Sequence, residues 1–294
     1  MLEQILSGTL PKLNGQKKVV LDGISRAAVA GGNAIMRIQE KPAFKILTKE
    51  GKEISKDETE KLRGQYKTEA DDASHEAIAG ILGERSYQGI PMVFEEADRT
   101  HAHQATYISV DELDGTGRFV KRKPGFMVLI QYVERGVPTL SANFDPMQDR
   151  LFYAIQGHGS FVNENLIGEL NKSVTLDDAR VIINGRDAEK AENAAYYTFM
   201  TARFPGRLSA GLASGSRIAA LLEGQYDLVV NAGSEELRVW DLGMILNLTE
   251  AGGFVSRKDG SPLDFSQSGP IGDLVCSINK DLHEKAIALL KTYR

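Results

Sequence analysis

The β-branched and aromatic run Tyr107-Ile108-Ser109-Val110 leads straight into Asp111-Glu112-Leu113-Asp114-Gly115-Thr116, and this junction constrains the fold more than any other stretch of the chain. Its first four residues suit a pleated, half-buried surface and predict a strand that delivers two carboxylates to its end. In layered α/β proteins, strand ends are where sites collect. Two acids close together, followed by a turn residue and a hydroxyl, can hold hard divalent cations and leave room for a phosphate. Asp and Gly are also the commonest turn formers, so a plain acidic turn accounts for the same letters.

With 294 residues and 42% hydrophobic content, the chain can bury a large core as one domain or as two of about 150 residues. Its longest apolar runs, such as Phe126 to Ile130, fall far short of the ~20 residues that cross a bilayer, and Met1 to Leu10 lacks a basic segment before an apolar one. These features predict a cytoplasmic protein with no membrane partner. Cys276 is the only cysteine, which excludes an intramolecular disulfide and a cysteine metal cluster. A net charge of −5, from 35 basic and 40 acidic residues, argues against a general nucleic-acid binder. Lys121-Arg122-Lys123, just past Thr116, reads either as a solvated loop or as a lure for an anionic substrate.

Apolar spacing predicts a long helix from Lys18 to Glu40, weakened at Gly31-Gly32, and then a polar loop from Lys41 to Gln65. Thr68 is the expected N-cap of a helix through Leu82, with Asp71 in its first turn. Strand-like segments follow at Pro91 to Phe94, Thr106 to Val110, Phe126 to Val133, Thr139 to Ala142 and Leu151 to Ile155, punctuated by Gly and Pro as in an antiparallel meander. Beyond them, strands at Val181 to Ile183, Tyr226 to Val230, Phe254-Val255 and Leu274 to Ile278 alternate with helices at Ala188 to Ala202, Ser216 to Glu223, from Asp241 to Gly252, and Asp281 to Leu290. A boundary near Asn163 to Lys172 is expected to divide an N-terminal α+β domain, 1–165, from a C-terminal α/β domain, 166–294.

Three further acidic positions stand where elements begin or end. Glu95-Glu96 closes the strand Met92-Val93-Phe94, while Asp71 and Asp241 head helices. From position alone, the two aspartates could be caps that complement the helix dipole, and the glutamates could be surface charges.

The four acidic segments together resemble the inositol monophosphatase family, part of a lithium-sensitive phosphatase group that also holds fructose-1,6-bisphosphatases and 3'-phosphoadenosine nucleotidases. The family's Asp-Pro-Ile/Leu-Asp-Gly-Thr motif corresponds to Asp111 to Thr116, its Gly-Glu-Glu to Phe94-Glu95-Glu96, and its Thr-x-Ala-Asp to Thr68-Glu69-Ala70-Asp71. Its Trp-Asp and Glu-Ala-Gly-Gly segments correspond to Trp240-Asp241 and Glu250-Ala251-Gly252-Gly253. Asp145-Pro146, Phe152-Tyr153-Ala154 and Gly215-Ser216 before Gly224-Gln225-Tyr226-Asp227 add to the match, which runs from Thr68 to Gly253.

The resemblance implies an α/β fold, a layered α-β-α-β-α sandwich, and a Mg²⁺-dependent phosphomonoesterase acting on a small polyol or sugar phosphate. It implies two or three Mg²⁺ ions held by Glu95, Asp111, the Leu113 carbonyl, Asp114 and Asp241. Thr116 and Asp71, assisted by Glu95, would orient the attacking water. Gly115, Thr116, Gly215, Ser216 and Arg217 would contact the substrate, the start of a helix at Gly215-Ser216 favouring an anionic or hydroxyl-rich ligand and Arg217 a second phosphate. A bisphosphate nucleotidase and a fructose-1,6-bisphosphatase are alternatives, as is a binding or regulatory homologue without turnover. Homodimers are common in the family.

The chain also departs from the pattern. Glu112 replaces the usual proline, Phe94 stands where glycine is frequent, and Ser234 to Val239 does not align cleanly with the region preceding the family's Trp-Asp. The family's lysine ahead of Thr-x-Ala-Asp corresponds to Lys45, Lys49 or Lys67. His101 and His103 form a weak metal-ligand pair, since no third ligand stands near them.

Overall fold

The computed structural model describes residues 15–62, 66–84, 87–96, 105–185, 193–231, 237–266 and 269–293. His101, His103 and Ser234 to Glu236 lie outside the described residues.

The long helix expected first is α1 (Gly15–Gln39). The expected polar loop instead holds β1 (Ile46–Thr48), β2 (Glu53–Ile54) and α2 (Lys56–Leu62), and β3 (Tyr66–Thr68) joins β1 and β2 in a three-stranded sheet. Next come α3 (Glu69–Leu82), β4 (Met92–Phe94), β5 (Tyr107–Asp114) and the short α4 (Thr116–Val120). Strands β6 (Met127–Glu134), β7 (Val137–Asp145), β8 (Arg150–Ile155), β9 (Gly159–Val162) and β10 (Asn165–Leu166) then run as a meander. Together with β4 and β5 they make a seven-stranded sheet in the order β10-β9-β8-β7-β6-β5-β4. All its neighbours are antiparallel except β4 and β5, which pair in parallel and so depart from the expected meander.

The rest of the chain builds a five-stranded mixed sheet. It contains β11 (Val181–Ile183), α5 (Ala194–Arg203), β12 (Leu208–Ala210), α6 (Ser214–Leu222) and β13 (Leu228–Asn231). A 3-10 turn at Trp240–Leu242, α7 (Ile245–Glu250), β14 (Phe254–Ser256), β15 (Leu274–Ser277) and α8 (Lys280–Thr292) complete it, with strand order β12-β11-β13-β15-β14. Parallel pairing of β11 with β12 and β13 requires crossovers, and the helices between those strands supply them. The fold is the layered α/β sandwich of the expected type.

Alternation along β5, β6 and β7 gives the seven-stranded sheet two chemically different faces. Ile108, Val110, Val128, Ile130, Leu140, Ala142 and Phe144 belong to the apolar cluster shared with α1 and α3. Their sequence neighbours Ser109, Asp111, Gln131, Ser141 and Asn143 are as fully buried but polar, and Ser141 and Asn143 reach α7 on the opposite face. The polar face is the one that meets the second half of the chain.

Gly31-Gly32, read from pattern as a weak point, lies in an unbroken helix. A Cβ on Gly32 would stand 2.3 Å from Phe144 Cδ1, and one on Gly31 2.7 Å from Ser74 Oγ, so the absent side chains let α1 lie close against β7 and α3.

On α8, His283 is nearly buried, with Nε2 2.8 Å from Ser256 Oγ and Nδ1 3.1 Å from Ser277 Oγ. Burial holds its ring below the ordinary 6.5. Because the fold favours the neutral ring, this contribution is intact above pH 6.5 and is lost as pH falls through the lower folded value. His283→Gln is therefore expected to flatten the decline in urea-unfolding stability below pH 6.5, and a variant with the same slope as the parent would contradict that.

Candidate metal centre

Strand β5 runs further than its β-branched start suggests and carries the acids within it rather than past its end. Its pairing with β6 shifts register between Asp111 and Asp114, so a bulge re-aims the chain where the carboxylates stand. Asp111 and Asp114 are both buried, and Asp241 comes to them from the Trp240–Leu242 turn. Carboxylate oxygens of these three residues all lie within 4.8 Å of one another.

Such crowding is costly for bare carboxylates. Burial pushes Asp111 well above the usual carboxylate range, and repulsion from Glu95, Asp114 and Asp241 pushes it further. Asp114 rises to about 6 through burial, although amide donors and the Arg217 guanidinium oppose the rise. An oxygen-seeking dication among the three would reverse these shifts, and the all-carboxylate donor set suits Mg²⁺. The residues present fit the ion the resemblance implies.

Gly115 follows with φ +92°, a left-handed conformation that favours glycine, and turns the chain into α4. The Thr116 hydroxyl then lies 3.3 Å from Asp71 Oδ1 and 3.1 Å from the Leu113 carbonyl oxygen. Asp71 has a double use. Its Oδ2 accepts from the Thr68 amide and hydroxyl, both at 2.7 Å, completing the capping box of α3, while Oδ1 faces Thr116. Burial, with repulsion from Glu96, pushes Asp71 up to about 8.

Glu95 and Glu96 follow β4 directly and share one cation. Lys49 Nζ lies 3.2 Å from Glu95 Oε1 and also bonds Glu96. Despite its burial the ammonium is held charged by the two glutamates, and Asp71 adds to the effect. Of the three lysines left open by the sequence, Lys49 stands among the acids; Lys67 pairs with Asp72 at 2.5 Å and Lys45 is exposed.

The implied substrate segment is arranged differently from expectation. Ser214 N–H and Gly215 N–H, at the start of α6, donate to Asp114 at 3.2 and 2.7 Å. The anion at this helix end is thus the protein's own carboxylate. Arg217 is 3% exposed and bonds Ser214 Oγ at 3.2 Å, and its positive charge opposes the rise of the Asp114 carboxyl. Ser216 is the partly exposed member of the segment.

Glu112 points away from the acids. Its side chain is fully buried on the α3 side of β5, with Oε1 2.8 Å from His75 Nδ1. The glutamate bond holds the His75 ring above its usual range. Arg122, from the basic run, donates to the Gln39 and Lys41 carbonyls at the end of α1, which leaves Lys121 and Lys123 exposed.

Sequence reasoning passed over a buried amide column behind the acids, formed by Gln131, Asn143 and Asn247. Polar residues at alternate positions in otherwise apolar strands were its visible signal.

A sequence model of the inositol monophosphatase family matches residues 20–294. The chain belongs to the inositol monophosphatase family. Within it, the chain is 29% identical over 239 residues to the Nus factor SuhB of Xylella fastidiosa, covering 76% of this chain and 84% of that one. It is 25% identical over 194 residues to the inositol-1-monophosphatase of Bacillus subtilis, covering 65% and 71%. Among solved structures, the extragenic suppressor protein suhB from Bartonella henselae superposes with a TM-score of 0.77 at 21% identity, covering 94% of this chain and 99% of that one. The inositol monophosphatase from Anabaena gives 0.72 at 21% identity, covering 94% and 96%. At such identities these structures attest the inositol monophosphatase fold. Among the described residues no helix is long and apolar enough to cross a membrane.

Proposed function

We propose that this protein is a Mg²⁺-dependent phosphomonoesterase of small polyol or sugar phosphates. The observation that carries the reading is the close approach of Asp111, Asp114 and Asp241 beside the contact between Thr116 and Asp71. Asp111, Asp114, Asp241, Glu95 and the Leu113 carbonyl would hold two or three ions. When bound, Mg²⁺ supplies Lewis acidity toward phosphoryl oxygen and lowers the pKa of water. Thr116 directs its hydroxyl proton to Asp71 or Leu113, which leaves a lone pair to accept a hydrogen bond from water and aim its oxygen at phosphorus. Gly115 lets the backbone approach the phosphate, and the Lys49 ammonium, shared by Glu95 and Glu96, holds the two glutamates in place. With Gly215 N–H committed to Asp114, Ser216 is the residue of its segment that faces the rest of the substrate.

The test is phosphate release from inositol monophosphate, fructose 1,6-bisphosphate and 3'-phosphoadenosine 5'-phosphate, with Mg²⁺ and with chelator, compared by kcat/KM. Mg²⁺-dependent release, greatest from the inositol substrate, is expected. Equal rates in chelator would refute the metal mechanism, and preference for either other substrate would reassign the activity within the phosphatases.

The relatives named Nus factor support a second reading, a binding or regulatory protein on the same fold. Calorimetric binding of metal and phosphate without hydrolysis of any panel member would favour it. We also propose that the domain boundary expected near residue 165 falls just past β10, between Leu166 and Val181, where the chain passes from one larger sheet to the other.

A further inference from the structure

Asp111 belongs to a rigid strand, whereas Asp241 belongs to a short 3-10 turn joined to helix α7. A site that needs both carboxylates within a few ångströms must fix that turn against the sheet. The means stand in two register rows on the same face of the sheet, separated by the row Val110, Ile130, Ala142 of the other face. One row runs Asp111, Leu129, Asn143 across β5, β6 and β7; the other runs Ser109, Gln131, Ser141. The row that holds a metal-site acid therefore also holds Asn143, two strands away.

From these rows the side chains reach both flanks of the turn. Gln131 Nε2 donates to the Val239 carbonyl at 2.6 Å, just before Trp240. Asn143 Nδ2 donates to the Gly243 carbonyl at 3.1 Å, just after Leu242. Asp241 is the middle residue between the two bonds. The contact is close, for a Cβ on Gly243 would stand 2.5 Å from Asn143 Oδ1 and 2.8 Å from Leu129 Cβ. Asn143 is itself oriented: its Oδ1 accepts from the Ile130 amide at 3.2 Å, and its Nδ2 also lies 3.0 Å from Asn247 Oδ1. Asn247 accepts from Ser141 at 2.8 Å and donates to Ser160 at 3.1 Å, which ties α7 to β7 and β9. Gln131, Asn143 and Asn247 are completely buried, and a carbonyl deprived of its donor there has no water to turn to.

We propose that Gln131 and Asn143, with Asn247 behind them, are positioning residues that set the place of the Asp241 carboxylate relative to Asp111 and Asp114. The inference rests on reading those acids as a metal centre. It assigns the amide column a task beyond stability, because its two bonds bracket a ligand rather than spread through the core. Groups that orient metal ligands typically contribute about 10- to 100-fold in affinity.

Mn²⁺ binding to the full chain, followed by electron paramagnetic resonance with no substrate present, tests this directly. Gln131→Met keeps the volume and removes the donor to Val239. Asn143→Ser removes the reach to Gly243, and provides a second route to the same readout if Gln131→Met does not fold. Ser160→Ala trims the far end of the network without touching the turn. The expected result is at least about a tenfold rise in Mn²⁺ Kd for Gln131→Met and Asn143→Ser, with Ser160→Ala at the parental Kd even where its metal-free Tm falls. Parental Kd in the folded Gln131→Met and Asn143→Ser proteins, or an equal rise in Ser160→Ala, would overturn the positioning role while leaving the metal centre intact. Absence of Mn²⁺ binding by the parent protein would overturn the metal reading itself and this inference with it.

Discussion

Asp241→Asn is expected to lower Mg²⁺-dependent phosphate release by about 10³-fold, a loss of roughly 4 kcal/mol of transition-state stabilisation. The substitution is nearly isosteric, and the amide oxygen can keep the bond that Asp241 Oδ2 now accepts from Arg238 N–H at 2.7 Å. The turn should therefore survive. What changes is the other end of the side chain, where a neutral amide replaces half of an anionic group within 4.8 Å of Asp111 and Asp114. An amide presents either a weaker oxygen or an N–H donor to a cation, and neither substitutes for a carboxylate. The stability of the metal-free protein should move the other way or stay level, because one of several mutually repelling carboxylates is gone. The paired measurement is phosphate release together with Tm in chelator and in Mg²⁺. Parental activity in the variant would remove Asp241 from the mechanism, and a variant unfolded in chelator would show that its carboxylate is structural.

Gly32→Ala should destabilise the protein by about 3 kcal/mol, although alanine in a helix interior ordinarily gains up to about 1 kcal/mol over glycine. The competing terms can be compared at this position. The helical gain is local and small. Against it, the new Cβ falls 2.3 Å from Phe144 Cδ1 and 3.2 Å from Pro146 Cβ, and Phe144 is buried in β7 with no room to withdraw. Either the ring leaves its rotamer or α1 lifts from the sheet, and both cost more than the backbone entropy recovered. Gly80 is the control: it lies on the exposed side of helix α3, where a Cβ meets nothing within 4 Å, and Gly80→Ala should stabilise by about 0.5–1 kcal/mol. Urea unfolding of the two variants decides the matter. Stabilisation in both would mean that α1 does not lie so close to β7.

These two sites illustrate how unevenly the structure could be read beforehand. The cap at Thr68 and the strand leading to Asp111 were legible because each depends on neighbours within a few residues. The glycine pair was visible but misread, since pattern alone treats glycine as a flaw, and its use lies in distant residues, Ser74 for Gly31 and the Phe144 ring for Gly32. The loop before Gln65 hid β1, β2 and α2 because elements that short carry too few residues to show a period.

The sequence by itself determined the acids, their delivery by strand and turn, the hydroxyl at Thr116 and the family. These follow from local propensity, capping and motif order, which any short window contains. Only the tertiary structure decided which lysine stands among the carboxylates, that Glu112 turns to His75 on the far face, and that Asp114 itself occupies the start of α6, 101 positions away. It also decided that Arg217 is buried beside Ser214 and that buried amides bond both flanks of Asp241. Each of these is a pairing of buried polar groups across distant elements. Burial makes an unpaired group costly, so partners are found, but which partner is found depends on how the layers stack.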